Sequence, residues 1–375
     1  MPGSIIKRGK SSWTVVVDIG RDPVTGKRRQ LWRGVKGTKR DAETLLVQLL
    51  HQRDSGIDAP PGKITVSEYL NRWLDDYARP NTAPKTHMRY EEVIRLHLVP
   101  VLGSIPLAKL RPLHIQEAYR RALAKGLSPR TVLHCHRVLR EALKHALQWQ
   151  LIVRNPADAA EPPRFQRSEI RAVGPDDLRR ILTAADDTPY GTLVHLAATT
   201  GLRRGELLGL RWQDVDLETG MIHVRQTAQR LPRQGITFRP PKTHRSSRPV
   251  SISPSTVERL RQHRRGQLEE RMALGPDYED HDLVMATPLG TPNDPGNLRR
   301  AWGRIVKAAG VDSMRFHDLR HAHATLLLQQ GVHPKVVSER LGHAGVAITL
   351  DTYSHVLPGL QEEAAEKLDR VLGLE

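Results

Sequence analysis

Residues Ser313 to His355 read SMRFHDLRHAHATLLLQQGVHPKVVSERLGHAGVAITLDTYSH, and four of them, His317, Arg320, His343 and Tyr353, are side chains of the kinds that handle a phosphate. His317 and Arg320 stand three apart, which on a helix places both on one face. The apolar residues Ala322, Ala324, Leu326, Leu327 and Leu328 predict that helix, and Gly331 its stop. His333-Pro334 opens a second short helix that Gly342 ends, and Thr349 is expected to cap a third containing Tyr353. The dyad alone decides little. His-x-x-Arg recurs at His134 and Arg137, and about two matches are what this composition gives by chance. A lone tyrosine on a helix is ordinarily a core aromatic with a hydrogen-bonded tip.

Order and spacing carry more. HDLRHAHAT is followed by LGHA and then by a tyrosine ten residues after the second histidine. Upstream lie TGLRRGEL, from Thr200 to Leu207, and a basic hairpin PKTHRSSRPV, from Pro241 to Val250. These five features in this order resemble the tyrosine recombinases of the phage integrase family. The resemblance runs by motif and organisation over residues 64–358, and is weakest over the first 60.

Composition fits a partner of that kind. The chain has 375 residues, room for two or three domains, and 38% of them are hydrophobic. Its net charge of +17 favours a polyanionic partner, nucleic acid before membrane. The excess sits forward: the first 165 residues carry +14 of it, so the front of the chain is expected to supply much of the phosphate affinity. A single cysteine, Cys135, allows no internal disulfide and fits a reducing, cytoplasmic compartment. No signal peptide and no apolar run long enough for a membrane span are read in the sequence.

The expected fold is multidomain and mainly α. Residues 1–55 predict a small sheet plus a helix: Trp13 to Ile19 is β-branched, Asp22 to Lys27 has turn chemistry, Arg28 to Val35 returns, and Thr38 caps a helix from Lys39 to Arg53. This part resembles an arm-type DNA-binding domain, with Lys7, Arg8, Lys10, Lys27, Arg28 and Arg29 clustered at the strand ends as candidate phosphate contacts. Residues 64–158 read as four helices opening at Val66, Thr82, Arg111 and Ser128, the last with serine followed by proline at the first helical position. They resemble a core-DNA-binding domain, with Lys85, Arg89, Arg130 and Arg137 as candidate contacts. Residues 169–375 are expected to form a catalytic domain, mostly α with three strands (Met221 to Thr227, Gly235 to Arg239, Arg248 to Ile252), closed by an amphipathic tail helix from Pro358.

A phosphodiester resists nucleophiles because it is an anion, and attack loads further charge onto its non-bridging oxygens. Arginine answers that charge with a planar fork that stays protonated. The resemblance assigns Arg203 and Arg320 to the phosphate, Lys242 as acid to the departing 5′ oxygen, His317 and His343 as further donors or proton carriers, and Tyr353 as nucleophile. It implies a covalent 3′-phosphotyrosine, no metal, no other cofactor and no ATP. Double-stranded DNA at attachment or crossover sites, a homo-tetramer, and accessory DNA-bending or directionality factors are the partners it implies. His317, His321 and His323 make a poor metal set, since only the first pair shares a helix face. The other readings are a type IB topoisomerase-like enzyme, which shares these residues, and a DNA-binding regulator that no longer cuts.

Overall fold

A computed structural model describes residues 3–21, 26, 28–54, 64–165, 173–232, 234–241, 246–353 and 360–373. The chain divides into two compact units, Met1–Arg167 and Ser168–Glu375.

The first unit opens with an antiparallel sheet in the order β1 (Gly3–Gly9), β2 (Ser12–Arg21), β3 (Arg28–Lys36), followed by α1 (Lys39–Asp54). Val15 and Val17, two apart on β2, point to one side and are buried with Ala42 and Leu49 of α1. Thr38 and Asp41 cap α1 reciprocally: the Thr38 amide donates to the Asp41 carboxylate at 2.7 Å, and the Asp41 amide to the Thr38 hydroxyl at 3.3 Å.

The helical part runs through α2 (Val66–Trp73), α3 (Arg79–Asn81), α4 (Pro84–Val93), α5 (Val99–Leu102), α6 (Pro112–Ala124) and α7 (Pro129–Gln148). Thr65 and Glu68 form the capping box that starts α2, and Ser128 caps α7 ahead of Pro129. The helix expected to open at Thr82 starts at Pro84 and stays helical through Leu98, with a change of hydrogen-bond pattern on the way. α4 passes through a π-helical stretch, Ile94–Leu98, into α5, and Leu74–Ala78 does the same between α2 and α3. Tyr69, Leu70, Trp73, Ile94, Leu98, Leu139 and Leu143 fill the core between these helices.

The second unit begins with α8 (Pro175–Asp186), α9 (Gly191–Thr200) and the short α10 (Arg204–Leu208). The strands follow: β4 (Val215–Asp216), β5 (Met221–Val224), β6 (Thr227–Leu231), β7 (Gly235–Arg239) and β8 (Arg248–Ser251). They do not form one sheet from the three runs read in the sequence. β5 pairs with β8 and with β4, while β6 and β7 form a separate hairpin. Two-residue β4 is too short to show as a periodic run. α11 (Pro254–Leu274) and α12 (Pro295–Ala308) complete the main core, then α13 (Asp318–Gln329), α14 (Pro334–Leu341), α15 (Val346–Tyr353) and α16 (Leu360–Leu372). The mainly α, multidomain architecture with small antiparallel sheets is the one expected. Among the described residues no helix is long and apolar enough to cross a membrane.

Gly201 ends α9 in the left-handed region, at φ 65°, and a Cβ there would lie 2.7 Å from both His323 and Leu341. Gly201→Ala therefore meets backbone strain and a packed neighbour at once, and is expected to cost about 2–3 kcal/mol. Urea unfolding of the full chain, followed through the second unit's tryptophans Trp212 and Trp302, measures that loss.

Candidate active site

Of the residues singled out around the phosphate chemistry, Arg203, Arg320 and His343 gather at the carboxyl end of α14. A helix leaves its last carbonyls without intrahelical donors, and that end carries partial negative charge. Gly342 turns the chain there in the left-handed conformation, φ 67°, and the amides of Gly342 and His343 fold back onto Glu339 and Ser338 at 2.9 and 3.0 Å. Three consecutive carbonyls remain, and each takes a guanidinium. Arg248 Nε donates to Arg340 O at 2.6 Å, Arg320 Nη2 to Leu341 O at 2.6 Å, and Arg203 Nη2 to Gly342 O at 3.0 Å.

Each arginine arrives from a different element. Arg203 is the N-cap residue of α10, and Arg204 beside it is exposed. Arg248 opens β8, and Arg320 lies in the first turn of α13. Arg320 is buried and spends a second donor on Gly201 O at 2.8 Å. Burial, then the nearby Arg203, lowers its pKa, while Glu206 opposes the shift; it stays charged at neutral pH.

Glu206 is the counter-charge. It is buried and accepts from Arg203 Nη1 at 2.7 Å, from the Arg203 amide at 2.9 Å, and from Arg248 Nη2 at 3.1 Å. Burial works against its charge, but Arg248 and then Arg203 outweigh it, so its pKa lies below the usual carboxylate value.

His343 follows Gly342 directly, and its Nδ1 sits 2.8 Å from the Thr349 hydroxyl. Thr349 does not cap α15, as the sequence reading expected. It is fully buried inside that helix, and its hydroxyl braces the imidazole instead. Burial first, then Arg320, Arg203 and Arg248, push the His343 pKa down to about 4. Arg203, Thr227, Pro241, Ser246, His343 and Ile348 line an open cleft of about 450 Å³.

His317 and Tyr353 occupy the neighbouring region. His317 is the N-cap residue of α13 and lies open to solvent, its ring edge-on to His321 at 5.2 Å. Desolvation of its enclosed side, then His321 and Arg320, lowers its pKa. Tyr353 is only 1% exposed and packs with Ala324, Leu328, Val337 and Leu341. Its hydroxyl is 2.7 Å from Nδ1 of His321. Burial raises the phenol to about 12, with Arg320 pulling the other way. Lys242 lies outside the described residues.

The candidate DNA contacts are spread over the first unit. Lys7, Arg8, Lys10, Lys85, Arg89, Arg130 and Arg137 are exposed. Lys7 sits 5.7 Å from the Trp13 ring centre, and Arg130 6.0 Å from that of Phe165. Arg28 is exposed but bound to Asp18 at 2.7 Å, and Arg89 to Glu92 at 2.7 Å. Lys27 and the side chain of Arg29 lie outside the described residues. Among those described, no group of three or more His, Cys, Asp or Glu side chains is placed to hold a metal.

Sequence reasoning passed over Arg248, which anchors Glu206 and α14, and weighed His321 and His323 as metal ligands, giving them no part at the phosphate. His323 has a fixed tautomer: Nδ1 donates to Ala198 O at 2.9 Å, and Nε2 accepts from Arg340 Nε at 3.1 Å. The signal for Arg248 was present, an arginine in strand alternation with buried Val250, but a charged residue in a basic hairpin reads as solvated.

Comparison with known proteins follows the same lines. The model of the phage integrase family matches residues 171–359, and that of the phage integrase N-terminal SAM-like domain matches residues 65–123. The chain is 30% identical to a tyrosine recombinase XerC-like protein of Caldanaerobacter subterraneus subsp. tengcongensis, over 97% of each chain. It is 27% identical to the ICEBs1 integrase of Bacillus subtilis, over 98% of this chain and 100% of the relative. The fold resembles the Tn1549 transposon integrase, solved with a circular intermediate DNA, at TM-score 0.70 and 21% identity, over 82% of this chain and 100% of that one. It also resembles lambda integrase, solved as a dimer on a core site, at TM-score 0.57 and 21% identity, over 93% of each chain.

Two predictions come from the buried charges. Arg248→Ala strips Glu206 of a buried partner and leaves a helix carbonyl bare, a loss of about 3–5 kcal/mol in urea unfolding. Burial, then Arg340, lowers the His323 pKa from its ordinary 6.5 to about 4. The stability tied to its neutral form is complete above pH 6.5 and fades as pH falls toward 4, by about 2 kcal/mol at pH 5. Unfolding at pH 7 and pH 5 reads this together with the other lowered histidines, and His323→Gln should shrink the difference by about that amount.

Proposed function

We propose, from the premise that this chain belongs to the phage integrase family of tyrosine recombinases, that it is the integrase of a mobile genetic element and that the cluster at the end of α14 holds the scissile phosphate of its DNA. As a site-specific recombinase it breaks and rejoins DNA strands. Arg203 and Arg320 take the non-bridging oxygens, His343 adds a donor, and His317 stands at the rim as donor or proton carrier. Tyr353 attacks phosphorus, a 3′-phosphotyrosine forms, and Lys242 protonates the departing 5′ oxygen. The phosphotyrosyl bond retains the energy of the one broken, so resealing needs no ATP and no metal. Four copies on two duplexes exchange one pair of strands at a time. The exposed cations of the first unit grip attachment-site DNA in the cytoplasm, assisted by DNA-bending or directionality factors.

One observation carries this reading. Arg203 and Arg320, far apart in sequence, donate to the adjacent carbonyls of Gly342 and Leu341, with His343 the next residue along. Guanidiniums fixed in advance by backbone acceptors need no reorganisation when charge develops beside them. Their remaining N–H groups supply the donors.

The test is a nicked duplex spanning the boundary of the element that carries the gene, which traps the covalent adduct. Tyr353→Phe should bind this duplex normally and form no adduct. Arg320→Ala should slow adduct formation by about 10²–10³-fold. Lys242→Ala should be slow on ordinary DNA and recover on DNA with a 5′-bridging sulfur, a leaving group that needs no acid. An adduct that survives Tyr353→Phe refutes the assignment of the nucleophile.

A further inference from the structure

We infer that His321 is the proton acceptor for Tyr353: it takes the phenol proton as the phosphotyrosine bond forms and returns it on resealing. The inference rests on the reading above and adds to it a residue whose imidazole touches the reacting oxygen.

The geometry is local. Tyr353 comes from α15, and its hydroxyl meets Nδ1 of His321 at 2.7 Å, with ring centres 5.7 Å apart. The rest of the phenol ring is packed among aliphatic side chains, so this imidazole is the polar group that its oxygen is given. His317 lies edge-on to His321, with ring centres 5.2 Å apart. Position on α13 explains the arrangement. His317 and His321 are four apart on one face, and Arg320 is the residue next to His321, so the turn that brings an arginine to the phosphate also brings an imidazole to the nucleophile.

The groups facing His321 set its protonation. On its own helix and the turn before it stand His317, Asp318, Arg320 and Arg315; from α15 comes Tyr353, and His343 lies beyond. Burial, reinforced by Arg320 and Arg315 and opposed by Asp318, keeps the imidazole below its ordinary pKa. It is therefore neutral near pH 7, and in the tautomer protonated at Nε2 its Nδ1 lone pair can accept the phenol O–H. In the step itself the Tyr353 O–P bond forms and the P–O5′ bond breaks. The phenol proton passes to His321 Nδ1, giving an imidazolium, while the departing O5′ takes a proton from Lys242. Resealing reverses both transfers. A phenol held near pKa 12 by burial is a poor nucleophile without such an acceptor.

The experiment measures adduct formation by the full chain on the nicked boundary duplex, from about pH 6 to about pH 9, for wild type, His321→Ala, His321→Asn and His317→Ala, with duplex binding followed in parallel. Asparagine keeps an acceptor for the phenol hydroxyl but cannot carry its proton. Both His321 variants are expected to bind the duplex yet form adduct about 100-fold more slowly at neutral pH. Their rates should climb steadily with pH where the wild type levels off, and free imidazole should partly restore His321→Ala. His317→Ala should lose rate without acquiring that slope. Wild-type rates in His321→Asn, an unchanged pH profile, or the slope appearing in His317→Ala would each overturn the inference while leaving the recombinase chemistry intact. If His321→Ala loses binding, His321→Asn decides alone. A wild-type chain that makes no adduct overturns the recombination chemistry, and the inference with it.

Discussion

Three neighbouring carbonyls at the end of α14 are the constraint around which the second unit is arranged. A helix terminus in a protein interior must find donors for its last carbonyls. Here they come from a helix start, a strand and another helix, in Arg203, Arg248 and Arg320. One need is thus met from three directions, and three elements far apart in sequence are tied to a single point. Glu206 makes the clustering tolerable by standing between two of the three cations. Gly342 permits it geometrically, since a Cβ there would fall 2.8 Å from the Arg248 guanidinium.

Much of this was legible in the chain because local chemistry marks it. Proline after a capping residue announced α7, glycine announced the ends of α13 and α14, and apolar spacing announced α13 itself. The π-helical stretches were missed because their signal lies just beyond them: Pro80 and Pro100, each two residues past a stretch, supply no N–H for a regular turn. The division of the strands into two sheets was hidden for a different reason. Pairing is a non-local choice, and β5 reaches past a whole hairpin to β8.

The site shows the same division. Motif spacing pointed to Arg203, Arg320, His343 and Tyr353, whose residue types suit a phosphate. It did not point to what holds them. Thr349 looked like a helix cap because threonine often is one, yet burial inside α15 turned its hydroxyl toward His343. His321 stood in plain view inside HDLRHAHAT, but only the fold of α15 back onto α13 puts a phenol against it. Roles carried by a side chain's chemistry can be read from a line of letters; roles assigned by a distant neighbour cannot.

The brace on His343 and the Tyr353 phenol ride on one short rod. Thr349 and Tyr353 are four apart on α15, on the same face, and both are buried. Any rolling or sliding of that rod that carries the phenol oxygen out toward a DNA strand also draws the threonine hydroxyl from its imidazole. Displacing the phenol and freeing the histidine are therefore one mechanical event, geared together by a single helical turn.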